Sequence, residues 1–440
     1  MRAWPQKHNR HSRILMRILH TSDWHLGAQL HDQSRLPEQA AFLEWLKVLM
    51  AKEQPDALII AGDIFDTCAP SSAALNLYYN FLSAIFTAKR CCAVIVVGGN
   101  HDSPSLLDAP RNALVHLNTQ VVGTVAYLKE DNGGYVPNYD KEVVVVNDAN
   151  GQPGLVIGAV PYLRDADLRT SEALETDADR SEKLKRGFKQ HYQAIANLAR
   201  QKSALADGRQ LPLILTGHLF LTGATTAVEK SERDLHIGNL ASLEVALLPP
   251  ADYYALGHLH NPQKVGGSDI CRYSGAPIPM SFGEIKQAKS VTIVDFAPGT
   301  APVVRLESIP QTQKFAQLKG TPETIEEKLK EQAAARISVW VDIQVTEGDG
   351  DLAAWWGKFT AIAEGTSVLI LRKQNARPGK NGSARAVAVA ADTNLEYLTP
   401  KQLFDMRLND EDLTDGEKNA FAAMFDEIAQ ACAEADTNKE

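Results

Sequence analysis

The chain has 440 residues, 44% of them hydrophobic and 22% charged, which allows two or three domains with ordinary cores and excludes a disordered or fibrous protein. Its net charge of −9 excludes a bulk attraction for nucleic acid, so any DNA contact must come from local basic groups or a partner. Five cysteines without zinc spacing or a disulfide framework suit a reducing compartment, and no apolar run reaches the length of a membrane span.

Residues 1–15 carry His8, Arg10, His11 and Arg13, lack the apolar core of a secretory signal, and read as a disordered extension ahead of a working start at Met16. A short strand over 17–20 leads into Asp23-Trp24-His25. Phe42, Leu46, Leu49 and Met50 at helical spacing predict a crossover helix over 37–52, returning to the buried strand Leu58-Ile59-Ile60-Ala61. That strand runs into Gly62-Asp63 and then Ile64-Phe65-Asp66. A second helix over 71–89, with Leu75, Tyr78, Leu82 and Ile85 on one face, precedes Val94-Ile95-Val96-Val97 and the turn Gly98-Gly99-Asn100-His101-Asp102. This strand, helix, strand rhythm predicts a parallel sheet.

A helix over 106–117 is followed by weaker strands over 121–128, 143–146 and 155–160, separated by turn-rich segments, which predict an antiparallel meander. A long charged helix covers 182–202. Leu213-Ile214-Leu215 leads into Thr216-Gly217-His218, and after a polar segment over 224–240, Tyr254-Ala255-Leu256 leads into Gly257-His258-Leu259-His260. The Gly and Pro content of 273–284 predicts a rigid, shaped loop. Beyond 290 the pattern changes. Strands over 291–296, 303–308, 337–345 and 367–372, with a helix over 321–334, predict a small α/β domain with an antiparallel sheet. A linker rich in Gly, Asn and Lys follows, then helices over 400–409 and 414–434 whose apolar stripe (Phe421, Met424, Phe425, Ile428) suits either a partner groove or docking back on its own chain.

The strands at 17–20, 58–61, 94–97, 213–215 and 254–256 each lead into Asp, His or Asn, at the end where α/β sheets bind ligands. Asp23, His25, Asp63, Asn100, His218, His258 and His260 together offer imidazole, carboxylate and amide oxygen without thiolate, a set suited to divalent first-row metals. Two such ions roughly 3.5–4 Å apart clamp the attacking and leaving oxygens of a phosphoryl displacement, and an aspartate can bridge them. No GxxxxGK[ST] loop is present, so any ATP dependence must arrive with a partner.

Asp23-Trp24-His25, Gly62-Asp63, Gly99-Asn100-His101-Asp102, Gly217-His218 and Gly257-His258-Leu259-His260 resemble the calcineurin-like metallophosphoesterase superfamily. Segments 21–27, 62–67, 257–263 and 273–284 resemble more closely the SbcD-type nuclease subunits, which partner an SMC-like ATPase. The resemblance implies Asp23, His25 and His260 on one ion, Asn100, His218 and His258 on the other, and Asp63 bridging. The ions would be Mn2+, with Mg2+ the alternative. It implies that activated water attacks phosphorus while His101 steadies the transition state or protonates the leaving 3′-oxygen. Asp66 stands where archaeal and eukaryotic relatives have histidine, and it is expected, with Asp102, to support the ligands.

The implied fold is an α/β, four-layer metallophosphoesterase β-sandwich flanked by helices, with a small α/β capping domain and C-terminal helices. The expected divisions are an extension over 1–15, a nuclease domain over 16–285, a DNA-contacting cap over 286–374, a linker over 375–398 and an ATPase-binding tail over 399–440. The implied function is a nuclease subunit of an SbcCD-type complex in repair, recombination and replication. It would act as a 3′-to-5′ exonuclease on duplex ends and an endonuclease on single strands and hairpins. A homodimer within a heterotetramer, a cytoplasmic, nucleoid-associated location and no membrane contact complete the expectation. The alternatives are a small-molecule phosphodiesterase or phosphatase, and a non-catalytic subunit that tethers DNA ends.

Overall fold

Strands that are apolar at every position need cover on both faces, and the architecture supplies it. In the computed structural model, which describes residues 16–88, 93–131, 133–169, 176–205, 208–222, 243–348 and 352–375, every residue of Ala57–Ala61 and Ala93–Val97 is buried. The basic extension, the polar segment over 224–240, the tail helices and the linker beyond Asn375 lie outside the described residues.

Two six-stranded sheets face each other. The first runs Val303–Ser308, Ser290–Phe296, Met16–Thr21, Ala57–Ala61, Ala93–Val97, Thr119–Val122, its last four strands parallel. The second runs Gln263–Val265, Ser268–Tyr273, Tyr253–Gly257, Leu213–His218, Pro153–Gly158, Val143–Asn147, with a parallel centre and antiparallel edges. Side-chain alternation splits each strand between two cores. Ile18, Ile59 and Ile95 pack between the sheets against Ile157, Ile214 and Ala255. Leu19, Leu58, Ile60, Val94 and Val96 face outward to the helices Leu36–Glu53 and Ser72–Thr87. On the far side, Val156, Leu213 and Leu215 meet Leu184, Phe188 and Ile195 of the helix Asp177–Ser203. The result is the expected four-layer sandwich.

Four local expectations are corrected. Thr119–Val122 is no part of a meander; it pairs parallel with Ala93–Val97, whereas Val143–Asn147 and Pro153–Gly158 do pair antiparallel, in the other sheet. The helix expected over 106–117 breaks into Pro104–Asp108, Arg111–Leu114 and a 3-10 turn Val115–Leu117, because Pro110 cannot donate the hydrogen bond that would join them. Ser290–Phe296 and Val303–Ser308 belong to the first sheet and not to the small domain. Met16 to His20 pair antiparallel with Phe296 to Thr292, so the sandwich extends past the boundary expected at 285. Finally, the small domain's sheet is parallel. Its strands Lys314–Gly320, Val339–Val345 and Val368–Asn375 are joined by helices Pro322–Ala334 and Leu352–Ala363, and a helical crossover imposes parallel pairing. The second of these helices was not predicted. It packs Phe359 against Val341 and Ile343 in a separate small core.

No helix among the described residues is long and apolar enough to cross a membrane.

His20 ties the two sheets together: its Nε2–H donates to the Leu256 carbonyl oxygen (3.1 Å), and its Nδ1 lies 3.0 Å from the Tyr253 hydroxyl. Burial pushes this imidazole down to about 3, so the fold holds it neutral. His20→Leu should lower stability by about 1–3 kcal/mol near neutral pH, through the loss of both hydrogen bonds across the sheets. The gap should narrow as pH falls below about 6.5, where only the wild-type unfolded chain gains a proton at this position. Urea unfolding at two pH values measures it, and a gap that holds or widens would contradict the assignment.

Candidate metal centre

Each expected ligand stands at or just beyond the carboxyl end of a central strand. Asp23 and His25 follow Met16–Thr21, Asp63 follows Ala57–Ala61, and Asn100 follows Ala93–Val97; His218 ends its own strand, while His258 and His260 follow Tyr253–Gly257. The loops hold strained backbone. Asp23, His25, Asp63 and His258 have φ of 52°, 44°, 48° and 102°, a region that costs a non-glycine residue about 1–3 kcal/mol. Hydrogen bonds from Asp23 N to Gly62 O (3.0 Å), His25 N to Asp63 O (3.0 Å) and Leu26 N to Ile64 O (2.9 Å) lock two of these loops side by side. Two glycines make the close approach possible. A Cβ on Gly62 would lie 2.1 Å from His218 Nδ1, and one on Gly99 would lie 2.1 Å from Asp63 Oδ1.

The side chains converge. His218 Nδ1 donates to the Ala61 carbonyl oxygen (3.0 Å), which leaves Nε2 facing Asn100 Oδ1 at 2.9 Å and Asp63 Oδ2 at 3.1 Å. His258 Nδ1 lies 3.1 Å from the same Asn100 oxygen. His25 Nε2 is 3.7 Å from the same Asp63 Oδ2 and 3.2 Å from His260 Nε2. Ligand atoms of Asp23, His25 and His260 lie within 4.8 Å of one another, as do those of Asp23, Asp63 and His218. The chemistry of this set fits cations. A neutral His218 has only a lone pair to offer toward two acceptor oxygens, and two imidazole nitrogens point at each other across 3.2 Å. Positive charge between them resolves both contacts, and a nitrogen and oxygen set without sulfur suits divalent first-row ions.

A second ring of groups aims these ligands. Asp102, buried, accepts from the backbone N–H of Ile64 (3.1 Å), Phe65 (3.0 Å) and Gly99 (2.8 Å), and so ties the Asp63 loop to the Asn100 loop. Asp23 accepts from the Ser22 hydroxyl (2.5 Å) and from His258 N (2.8 Å). His101 donates its backbone N–H to Asp63 Oδ1 (2.9 Å), and its Nδ1 lies 2.9 Å from the Asp66 carbonyl oxygen, which makes Nδ1 the protonated nitrogen. The Asp66 carboxylate itself reaches His25, Oδ1 to Nδ1 at 3.5 Å. Sequence reasoning missed three participants. Gln39 bridges His25 O (2.6 Å) and Gly27 N (2.9 Å) from within a helix, and Glu284 and Lys289 hold His260. Only Glu284 left a trace, as an acidic residue inside the Gly- and Pro-rich loop.

Burial would lower the imidazoles of His25 and His218, but the surrounding carboxylates outweigh it. Asp66, Asp63 and Asp23 push His25 up to about 9, and Asp63 and Asp23 do the same for His218. Burial and the neighbouring His218 push His258 down to about 4. Asp63, despite burial, is held well below the usual carboxylate range by His218, His25 and His101. Burial and the charge of Asp63 raise Asp102 to about 6.

Residues 16–262 match the family described as "Calcineurin-like phosphoesterase", and residues 311–412 match the "Type 5 capsule protein repressor C-terminal domain". The chain is 34% identical over 413 residues to the SbcD component of the SbcCD nuclease of Escherichia coli (strain K12), covering 93% of this chain and 97% of that protein. It is 34% identical over 343 residues to the protein of the same name from Bacillus subtilis (strain 168), covering 76% and 80%. The Rhodobacter capsulatus protein of that name is 37% identical over 291 residues, covering 65% and 68%.

Two outcomes follow from the geometry. Protons held by His25 and His218 stabilise the metal-free fold below about pH 6.5, and that contribution is lost as pH rises through about 9, whereas a cation must displace them. The rise in Tm on adding Mn2+ should therefore be larger near pH 8.5 than near pH 6.5 by calorimetry; an equal or smaller rise would count against it. Gly99→Ala, whose methyl would meet both the carboxylate and the backbone nitrogen of Asp63, should displace that loop and weaken Mn2+ binding by at least about 10-fold, with thermal unfolding of the metal-free variant as the fold check.

Proposed function

This chain belongs to the calcineurin-like phosphoesterases and, within them, to the SbcD nucleases, and on that premise we propose that it is the metal-dependent nuclease subunit of an SbcCD-type complex, hydrolysing DNA phosphodiester bonds. The observation that carries this reading is the donor set around Asp63, in which two imidazole-rich groups at the strand ends share one buried carboxylate.

Asp23, His25 and His260 would hold one divalent ion and Asn100, His218 and His258 the other, with Asp63 shared. Mn2+ is the favoured ion and Mg2+ the alternative. Such ions supply Lewis acidity toward a phosphoryl group and acidify water. The chain's own contribution is to orient and to move protons. His218 keeps its proton on Nδ1, against Ala61 O, and presents Nε2 to the centre. His101 is the proposed acid: with Nδ1–H committed to the Asp66 carbonyl, a second proton taken up from water at Nε2 is the one passed to the leaving 3′-oxygen, after which the ring returns to its neutral Nδ1–H form. Asn100, His101, His258 and His260 are half-buried while Asp23, His25, Asp63 and His218 are buried, so a phosphodiester reaches the centre over the rim that these four half-buried residues form.

The substrates are proposed to be duplex ends, attacked 3′-to-5′, together with single strands and hairpins. The partner is an SMC-like ATPase engaged through the tail, with two copies of each chain assembling at the cytoplasmic nucleoid. An acidic subunit with no phosphate-binding loop for ATP suits such a division of labour, with the partner supplying both ATP hydrolysis and much of the electrostatic hold on DNA.

Asp63→Ala and His101→Ala should each lower degradation of linear duplex DNA by more than about 100-fold with Mn2+ present, while binding of the ATPase subunit persists in a pull-down. Full nuclease activity in His101→Ala would remove its assigned role. If wild-type protein with its ATPase leaves linear duplex intact but hydrolyses small phosphodiesters, the phosphatase alternative replaces the nuclease reading.

A further inference from the structure

A buried ion pair lies one step behind His260. Glu284 Oε1 is 3.2 Å from His260 Nδ1, and its Oε2 accepts from Lys289 Nζ at 2.6 Å and from Met280 N at 3.2 Å. Lys289 is only 2% exposed and also donates to the His260 carbonyl oxygen at 2.9 Å and to Gln287 Oε1 at 3.2 Å. Ring and backbone of one histidine are thus tied to the same pair. Buried ion pairs contribute little to fold stability when a well-packed apolar pair would serve, so this one calls for another explanation. A metal-binding imidazole supplies it, since one nitrogen must carry the proton and point at an acceptor for the other to present a lone pair.

The turn that carries Glu284 is itself gripped from two sides. The fully buried Arg35 donates to the Pro279 carbonyl oxygen (2.7 Å) and pairs with Glu38. Its guanidinium lies 5.4 Å from the ring centre of Phe315 and 5.7 Å from that of Trp340, both on strands of the small domain. Phe282, two residues before Glu284, meets Phe315 edge-on at 5.9 Å and sits 5.7 Å from the Arg372 guanidinium. The small domain's aromatic rings therefore press on the segment whose next polar residue holds His260.

We propose that Glu284, neutralised by Lys289, is the positioning residue for His260, and that the small domain's seating on the 279–282 turn sets its aim. The proposal rests on His260 being a metal ligand, and the test separates the two. Mn2+ binding to the full chain is followed by calorimetry and by electron paramagnetic resonance, with thermal unfolding of each metal-free variant as the fold check. His260→Ala should abolish one of the two Mn2+ sites; if both persist, the ligand reading itself fails. The double variant Glu284→Gln with Lys289→Met leaves no orphaned charge and should weaken that same site about 10–100-fold while sparing the other. Two unchanged sites in the double variant, beside a lost site in His260→Ala, would overturn the positioning role. Should the double variant not fold, Glu284→Asp keeps a charge for Lys289 but withdraws the carboxylate by one methylene, and the same two outcomes apply. Trp340→Ala should weaken the His260 site about 3–10-fold, a smaller effect than losing the carboxylate; unchanged affinity removes the small domain from the proposal.

Discussion

One carboxylate, Asp63, sets the terms for the structure around it. It is buried in the left-handed region of backbone space, with His218 Nε2 at 3.1 Å and His25 Nε2 at 3.7 Å from the same oxygen, Oδ2. A charge in that position is tolerable only with compensating partners, and the neighbourhood is arranged to provide them. His101 N donates to it, while Gly62 and Gly99 give up their side chains so that the imidazole and the loop can come close. Asp102 then ties the two loops together through three backbone N–H groups. The same crowding of negative charge lifts the protonation of His25 and His218, which links cation binding to proton release.

The sandwich exists to bring strand ends together. Asp23, Asp63 and Asn100 come from one sheet, and His218, His258 and His260 from the other. The apolar layer of Ile18, Ile59, Ile157 and Ile214 keeps the sheets in contact, and His20, with both nitrogens engaged across that layer, pins the register near the site. Packing energy from the core therefore holds open the strained loops at its rim. The cost of four residues with positive φ is met by a scaffold whose own burial is extensive.

The small domain has its own core of Ile325, Leu329, Val341 and Phe359. Among the described residues, Arg35 and Phe282 of the sandwich meet Phe315 and Trp340 of the small domain through cation and aromatic faces. Such contacts are directional, and they lie beside the Glu284 turn, which is why the small domain enters the proposal for His260.

What the amino-acid sequence determined by itself was whatever chemistry is local. Each candidate ligand follows an apolar strand within a few residues, so Asp23, His25, Asp63, Asn100, His218, His258 and His260 could be named as candidates from spacing and residue type, and the crossover helices from their periodicity. Tertiary structure decided the rest, because sheet edges choose partners by hydrogen bonds that carry no sequence label. Ser290–Phe296 completes the sheet beside Met16–Thr21 from more than half the chain away, and the small sheet turned parallel once an unanticipated helix supplied its second crossover. Glu284 and Lys289 stayed hidden for the same reason: only the fold buries this acid and this lysine against one particular histidine, His260.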